Sequence, residues 1–367
     1  MGRNGAGKSN VLKAIQWACT TAAKAIHSYH YSISIDDKVD IQLAFKINGN
    51  TYIYRVEHCW VVGEKAGGIT FVENLSVETP DGTSAPLFKR VGEKLALYTA
   101  TGDRELDISD TGPAMVAIKS LLPDDDSHRR VTDKIVEFFS SVRYYPLTNY
   151  DDPEASTFIR GNKYTKAQLN NFSDVSPSLQ IVYKTLLLQE QFPEKFEELI
   201  ALLGPKGIGL LNDIVVTKHD LAGSTSGSND EDQAIYFLRY VPAGHLGGFG
   251  FDDLSFGTKR IVSLFTSVLY DSSSVCLVEQ PEDGVHLGLL DKVTPLLKTY
   301  SIYSQFVFTT HSPAILNRIA PEEVFLVSLD KGETKVRPLS SQEISAAENY
   351  MKDDGPLADF LESIEED

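Results

Sequence analysis

Gly2-Arg3-Asn4-Gly5-Ala6-Gly7-Lys8-Ser9-Asn10 opens the chain and decides its fold. The run fits the spacing G-x-x-x-x-G-K-[ST]. Glycines let the backbone curl until successive N–H groups face one anion. The helix that comes next turns the positive end of its dipole to the same point. Lys8 can reach the β- and γ-phosphates of a nucleotide, and the Ser9 hydroxyl can ligate Mg²⁺. Asn4, Gly5, Gly7, Lys8, Ser9 and Asn10 are therefore the expected nucleotide-binding residues. Such a loop ordinarily succeeds a buried strand, yet only Met1 precedes Gly2. Either the chain begins inside a longer natural one, the preferred reading, or another segment supplies the strand. The first alternative predicts a weakened, partly disordered phosphate loop.

Three further motifs come in a fixed order. Leu254-Ser255-Phe256-Gly257-Thr258 precedes an apolar helical stripe of Ile261, Leu264, Phe265, Val268 and Leu269. Ser255 suits a helix N-cap. Ser255 and Gly257 also suit a γ-phosphate presented by another subunit. Val275-Cys276-Leu277-Val278 reads as a buried strand ending in Glu279-Gln280-Pro281-Glu282. A carboxylate at the carboxyl end of such a strand lies beside a phosphate loop, where Glu279 can hold Mg²⁺ together with Ser9. The next position ordinarily carries a second carboxylate that deprotonates the attacking water. Here it is Gln280, whose amide can hydrogen-bond water but cannot take its proton. Binding should persist while hydrolysis slows. Gln280 fits either an introduced trap or a natural degenerate site. In Thr309-Thr310-His311-Ser312-Pro313, His311 comes after an apolar strand and can hydrogen-bond a γ-phosphate and sense its loss.

Composition bounds the rest. A chain of 367 residues with 42% hydrophobic residues can bury a large core in one large domain or two lobes. No apolar run approaches the roughly 20 residues of a membrane span, and no secretory signal is visible. The three cysteines, Cys19, Cys59 and Cys276, are odd in number and far apart, which fits a reducing cytoplasm and no cysteine-held metal. The net charge of -17 argues against a generally basic nucleic-acid surface, although a local patch is left open.

The periodicity switches along the chain. Residues 8–28 read as a helix with Val11, Leu12, Ile15, Ala18 and Ala22 on one side. Val39, Ile41, Leu43, Phe45 and Ile47 alternate, Asn48-Gly49-Asn50 turns, and Tyr52, Tyr54 and Val56 alternate again, which marks a hairpin. Residues 32 to about 100, with a turn at Thr79-Pro80-Asp81-Gly82, read as an antiparallel sheet. A helix near 131–139 and a strand at 142–145 come next. Residues 156–206 read as helical, with Pro193 at a first helical position and Gly204 as a stop. A strand at 214–217 leads into the Gly/Ser-rich stretch 222–232, read as a mobile loop. Strand 235–240 resumes order. Helix 255–270, strand 275–278, helix 287–298 and strand 305–310 then alternate, implying a parallel sheet covered by helices. No internal repeat or sustained heptad run is present.

These motifs together resemble the ABC-related ATPases of the SMC, RecF and OLD group, closest to short OLD-like ATPases lacking a nuclease module. Gly2 to Asn10, Leu254 to Thr258, Glu279 to His286 and Thr309 to Pro313 carry the likeness, which spans essentially the whole chain. It implies an α/β fold: a P-loop ABC-type ATPase head, a mixed central sheet, an antiparallel β subdomain and a helical insertion. The expected divisions are 1–155, 156–206 and 207–367. The likeness implies ATP and Mg²⁺ as cofactors. It also implies a homodimer or higher oligomer, with Lys8 and Ser9 of one protomer facing Ser255 and Gly257 of its partner across ATP. Glu279, Gln280 and His311 would be the catalytic positions. A separate effector, nuclease or toxin, in bacterial anti-phage defence is the implied target. A RecF-like DNA clamp and a degenerate nucleotide-binding scaffold are the alternatives. Gln180 and Gln189 both remain open for the glutamine that links nucleotide to the helical segment. The chain stops soon after Leu357 to Leu361, without the topoisomerase-primase-type module of full OLD nucleases.

Overall fold

The computed structural model describes residues 1, 5–23, 39–61, 68–99, 102–108, 112–147, 158–164, 175–220 and 234–366. Asn4 and the stretch 222–232 lie outside the described residues. The chain divides into two compact units, 10–142 and 1–9 with 143–367. This division differs from breaks at 155 and 206, because residues 156–206 share a core with the strands and helices beyond residue 206.

In the unit 10–142, helix α1 (Lys8–Ala23) leads to six strands: β1 (Val39–Ile47), β2 (Asn50–Val61), β3 (Gly68–Glu78), β4 (Ser84–Val91), β5 (Lys94–Leu97) and β6 (Arg104–Asp107). They form one antiparallel sheet in sequential order. The sheet therefore carries two more short strands than the turn signals suggested. Asn48 and Gly49 both take positive φ, 51° and 84°, as a tight two-residue hairpin requires. Helices α2 (Ala114–Leu121) and α3 (Ser127–Ser140) come after the sheet. Asp126 caps α3 by accepting from the His128 backbone N–H at 2.8 Å. Phe45 packs against Phe138 and Phe139 of α3, with ring centroids 5.7 and 4.8 Å apart.

The other unit contains β7 (Val142–Tyr145), β8 (Phe158–Arg160), α4 (Pro177–Gln191), α5 (Pro193–Leu203), β9 (Leu211–Asp220) and β10 (Ala234–Pro242). It continues with α6 (Phe256–Asp271), β11 (Val275–Glu279), α7 (Leu287–Tyr300), β12 (Gln305–Thr309) and α8 (Pro313–Leu316). Hairpin β13 (Phe325–Asp330) and β14 (Glu333–Pro338) and helices α9 (Ser341–Asp353) and α10 (Leu357–Glu366) complete it. Strands β11 and β12 pair in parallel, as the helix–strand alternation implies, and β7 flanks β11 on the other side. Among the described residues β8, β10 and β9 form an antiparallel sheet of their own, and β13 pairs with β14. The segment 156–206 is helical from Pro177 onward but also contains β8. One core joins Leu186 of α4, Leu199 of α5, Tyr240 of β10, Phe265 of α6 and Cys276 of β11. A smaller core forms around Leu316, Leu326, Ala347 and Leu361, with Met1 packed on it. The Met1 ammonium donates to the Phe325 carbonyl, and Val327 N–H donates to the Met1 carbonyl, each at 2.7 Å. Among the described residues no helix is long and apolar enough to cross a membrane.

Candidate nucleotide site

Gly5 and Gly7 adopt φ of 82° and 91°, conformations that favour glycine. Gly7 is constrained a second way: a Cβ there would lie 2.0 Å from Thr334 Oγ1 of β14. Helix α1 begins at Lys8, whose side chain is buried. One residue on, the Ser9 hydroxyl donates to Glu279 Oε1. The two positions expected to share a cation thus meet, although they lie 270 residues apart in sequence. Asn10 sits exposed on the first turn of α1.

Glu279 reaches this point because β11 is short, apolar and buried for four residues before its acidic end. The other carboxylate oxygen, Oε2, accepts from the Tyr144 hydroxyl of the neighbouring β7. Gln280 leaves the strand with φ of 41°, in the left-handed region. That turn is held from two sides. Gln280 N–H donates to the Thr309 carbonyl at 3.0 Å, and the Arg260 guanidinium of α6 donates to the backbone carbonyls of Glu279 and Gln280. Arg260 is 1% exposed, and its guanidinium lies over the Phe256 ring.

Gln280 Nε2 lies 3.3 Å from His311 Nδ1, so these two expected site residues are side by side. Glu282 holds the histidine's backbone. Its Oε1 accepts from His311 N–H at 3.0 Å and from the Thr310 hydroxyl at 2.7 Å. The His311 side chain is about half exposed and can face a ligand, whereas Glu282 is buried. Among the described residues no cluster of three His, Cys, Asp or Glu side chains is placed to hold a metal alone. A hydroxyl paired with one carboxylate suits Mg²⁺, a hard cation that keeps several waters and completes its shell with phosphate oxygens.

Ser255 and Gly257 are not part of this cluster. Ser255 is the exposed N-cap of α6 and accepts from Thr258 N–H at 3.3 Å. Gly257 is buried against the turn after β11, where a Cβ would lie 2.5 Å from the Gly284 carbonyl oxygen. Gln180 donates to the Val175 carbonyl at 3.0 Å. Sequence reasoning missed Tyr144 and Arg260, and gave Glu282 no role of its own. Only the repeated acid in Glu279-Gln280-Pro281-Glu282 offered a signal. Nothing in the spacing of Tyr144 or Arg260 marks them.

Comparison with known proteins places the chain. The family described as "AAA domain, putative AbiEii toxin, Type IV TA system" matches residues 105–317, more than half of the chain. The chain belongs to that family, in keeping with an ABC-related ATPase. Solved structures resemble it at low identity. An SMC head bound to the C-terminal winged-helix domain of ScpA is 16% identical, with 94% of this chain and 90% of that one covered and a TM-score of 0.42. A Pyrococcus furiosus SMC head with an extended coiled coil, bound to the C-terminal domain of ScpA, is 16% identical over 96% and 92%, at a TM-score of 0.39. The SMC head domain from Thermotoga maritima is 14% identical over 92% and 88%, at 0.35. No curated protein matches.

Proposed function

We propose that the chain is an ATP-driven switch of the OLD-like kind. It binds Mg-ATP, closes a head-to-tail dimer on two nucleotides, and so controls a separate effector, a nuclease or toxin, in bacterial anti-phage defence. The meeting of Ser9 and Glu279 carries this reading, because a phosphate-loop hydroxyl beside a strand-end carboxylate is a pair of oxygen donors that would hold Mg²⁺ next to bound phosphates. When bound, Mg²⁺ would neutralise phosphate charge between these two side chains. Backbone N–H groups around Gly5 and Gly7 cradle the phosphates, and Lys8 adds a fixed positive charge. Gln280 orients a water without accepting its proton, which keeps the bound state long-lived. His311, next to Gln280, reads the γ-phosphate. Ser255, exposed at the start of α6, and the backbone of the buried Gly257 serve the partner's nucleotide. The defence role draws on the family description and on the resemblance of the four motifs.

Solution mass by light scattering, with and without Mg-ATP, tests the switch. A doubling that Lys8→Ala abolishes is the expected result. A mass that does not respond to Mg-ATP, alongside unchanged mass in Lys8→Ala, would overturn it.

A further inference from the structure

We infer that Tyr144 is a positioning residue for the cation site, orienting Glu279 so that one carboxylate oxygen is presented to Mg²⁺. This deepens the nucleotide-site reading and rests on it. The geometry is specific. Glu279 has two oxygens, and each has its own donor: Ser9 on Oε1 and Tyr144 on Oε2. The Ser9 side is the metal side, since the hydroxyl is itself a ligand candidate. The Tyr144 side turns the carboxylate plane and holds it there. Sheet order explains how Tyr144 arrives. Strand β7 lies directly beside β11, so a residue near its end stands next to the last residue of β11. Tyr145, the next residue, anchors the strand by donating to Asp271 at 2.9 Å, and Lys184 of α4 donates to the same carboxylate oxygen at 2.8 Å. The backbone of Glu279 is fixed independently by Arg260, so its side chain is the remaining freedom.

The choice of a phenol has a chemical reason. A lysine or arginine at this place would neutralise the carboxylate that the cation needs. A phenol donates one hydrogen bond and brings no positive charge. It restrains the ligand and leaves its charge to the metal. Groups that orient metal ligands in this way typically contribute roughly 10- to 100-fold in metal affinity.

The test is Tyr144→Phe, which removes one oxygen and keeps the ring. Binding of a fluorescent ATP analogue is titrated with Mg²⁺, and its affinity is measured separately in excess EDTA. A thermal melt of each protein checks folding, and Glu279→Gln serves as reference. The expected result is a roughly 10-fold or greater rise in the Mg²⁺ needed for half-maximal effect, with metal-free affinity and melting temperature unchanged. An unchanged Mg²⁺ requirement in a folded Tyr144→Phe overturns the inference while leaving the nucleotide site standing. An equal loss of affinity in EDTA also overturns it, because Tyr144 would then touch the nucleotide itself. If the parent chain binds the analogue with no Mg²⁺ dependence, the nucleotide-site reading falls and takes this inference with it.

Discussion

Gln280 occupies a strained backbone position, and strain of this kind collects where a side chain must be aimed. Its amide reaches His311, a contact that supports the proposal that Gln280 stands where a general base would. Gln280→Glu restores a proton acceptor there. ATP turnover should rise about 10²- to 10⁴-fold, the range that general-base catalysis supplies, while ATP affinity stays within a few-fold. Phosphate release under single-turnover conditions checks it, and a rate equal to that of the parent would remove Gln280 from the base position. The residues named by spacing alone were legible because a phosphate loop is local: Gly5, Gly7, Lys8 and Ser9 are consecutive or nearly so. Glu279 was legible because an apolar run ends on it. Tyr144 was not, since its only signal is a contact across 135 residues. Arg260 was not legible either. Its burial depends on carbonyls delivered by another element, and no periodicity encodes that.

At the scale of elements, the antiparallel sheet contains a charged pair that alternation does not announce. Glu73 of β3 and Arg90 of β4 are both 0% exposed and 2.8 Å apart. Tyr54 donates to Glu73 Oε2 at 3.0 Å and Ala114 N–H donates to Oε1 at 3.0 Å, while Arg90 Nε donates to the Gly92 carbonyl. Removing one partner strands a buried charge, so Arg90→Met should cost about 3–5 kcal/mol in urea denaturation. Replacing Glu73 as well should recover part of that loss. The hairpins themselves were legible, since Asn-Gly and Pro-Asp-Gly turns dictate local geometry. The division of the strands into separate sheets was not, because edge pairing is decided by distant partners. Helix α9 gives an element-scale test of pH. Glu343 accepts two hydrogen bonds from Arg337 and one from the Ser340 backbone, which together hold its carboxyl down at about 2. A depressed carboxyl contributes stability above its unfolded value, 4.5, and loses it as pH falls toward about 2. The melting difference between the parent chain and Glu343→Gln should therefore be full at pH 6 and shrink steadily below pH 4.5. A difference independent of pH would assign the effect to packing.

For the whole molecule, charge constrains the partner more than the fold does. An ATPase head of this architecture suits either a DNA clamp or a protein-directed switch, and the four motifs are common to both. What separates them is the surface. Binding duplex DNA requires lysines and arginines that displace counterions, with log affinity falling by about 0.9 per log unit of salt for each phosphate neutralised. This chain carries 34 basic against 51 acidic side chains, and a dimer doubles the imbalance. Several of the arginines are already committed inside the molecule: Arg90 and Arg260 are buried, and Arg55, Arg104 and Arg318 pair with aspartates. The net acidity of the chain is the observation that supports the proposed protein effector over a nucleic-acid partner. Fluorescence anisotropy with a short labelled duplex should show no binding at physiological salt, with or without Mg-ATP. Lowering the salt should recover at most weak binding that does not depend on nucleotide. Binding that appears only with Mg-ATP and weakens steeply with salt would mean that closure assembles a basic groove from two protomers, and the DNA clamp would then replace the effector switch as the function of this site.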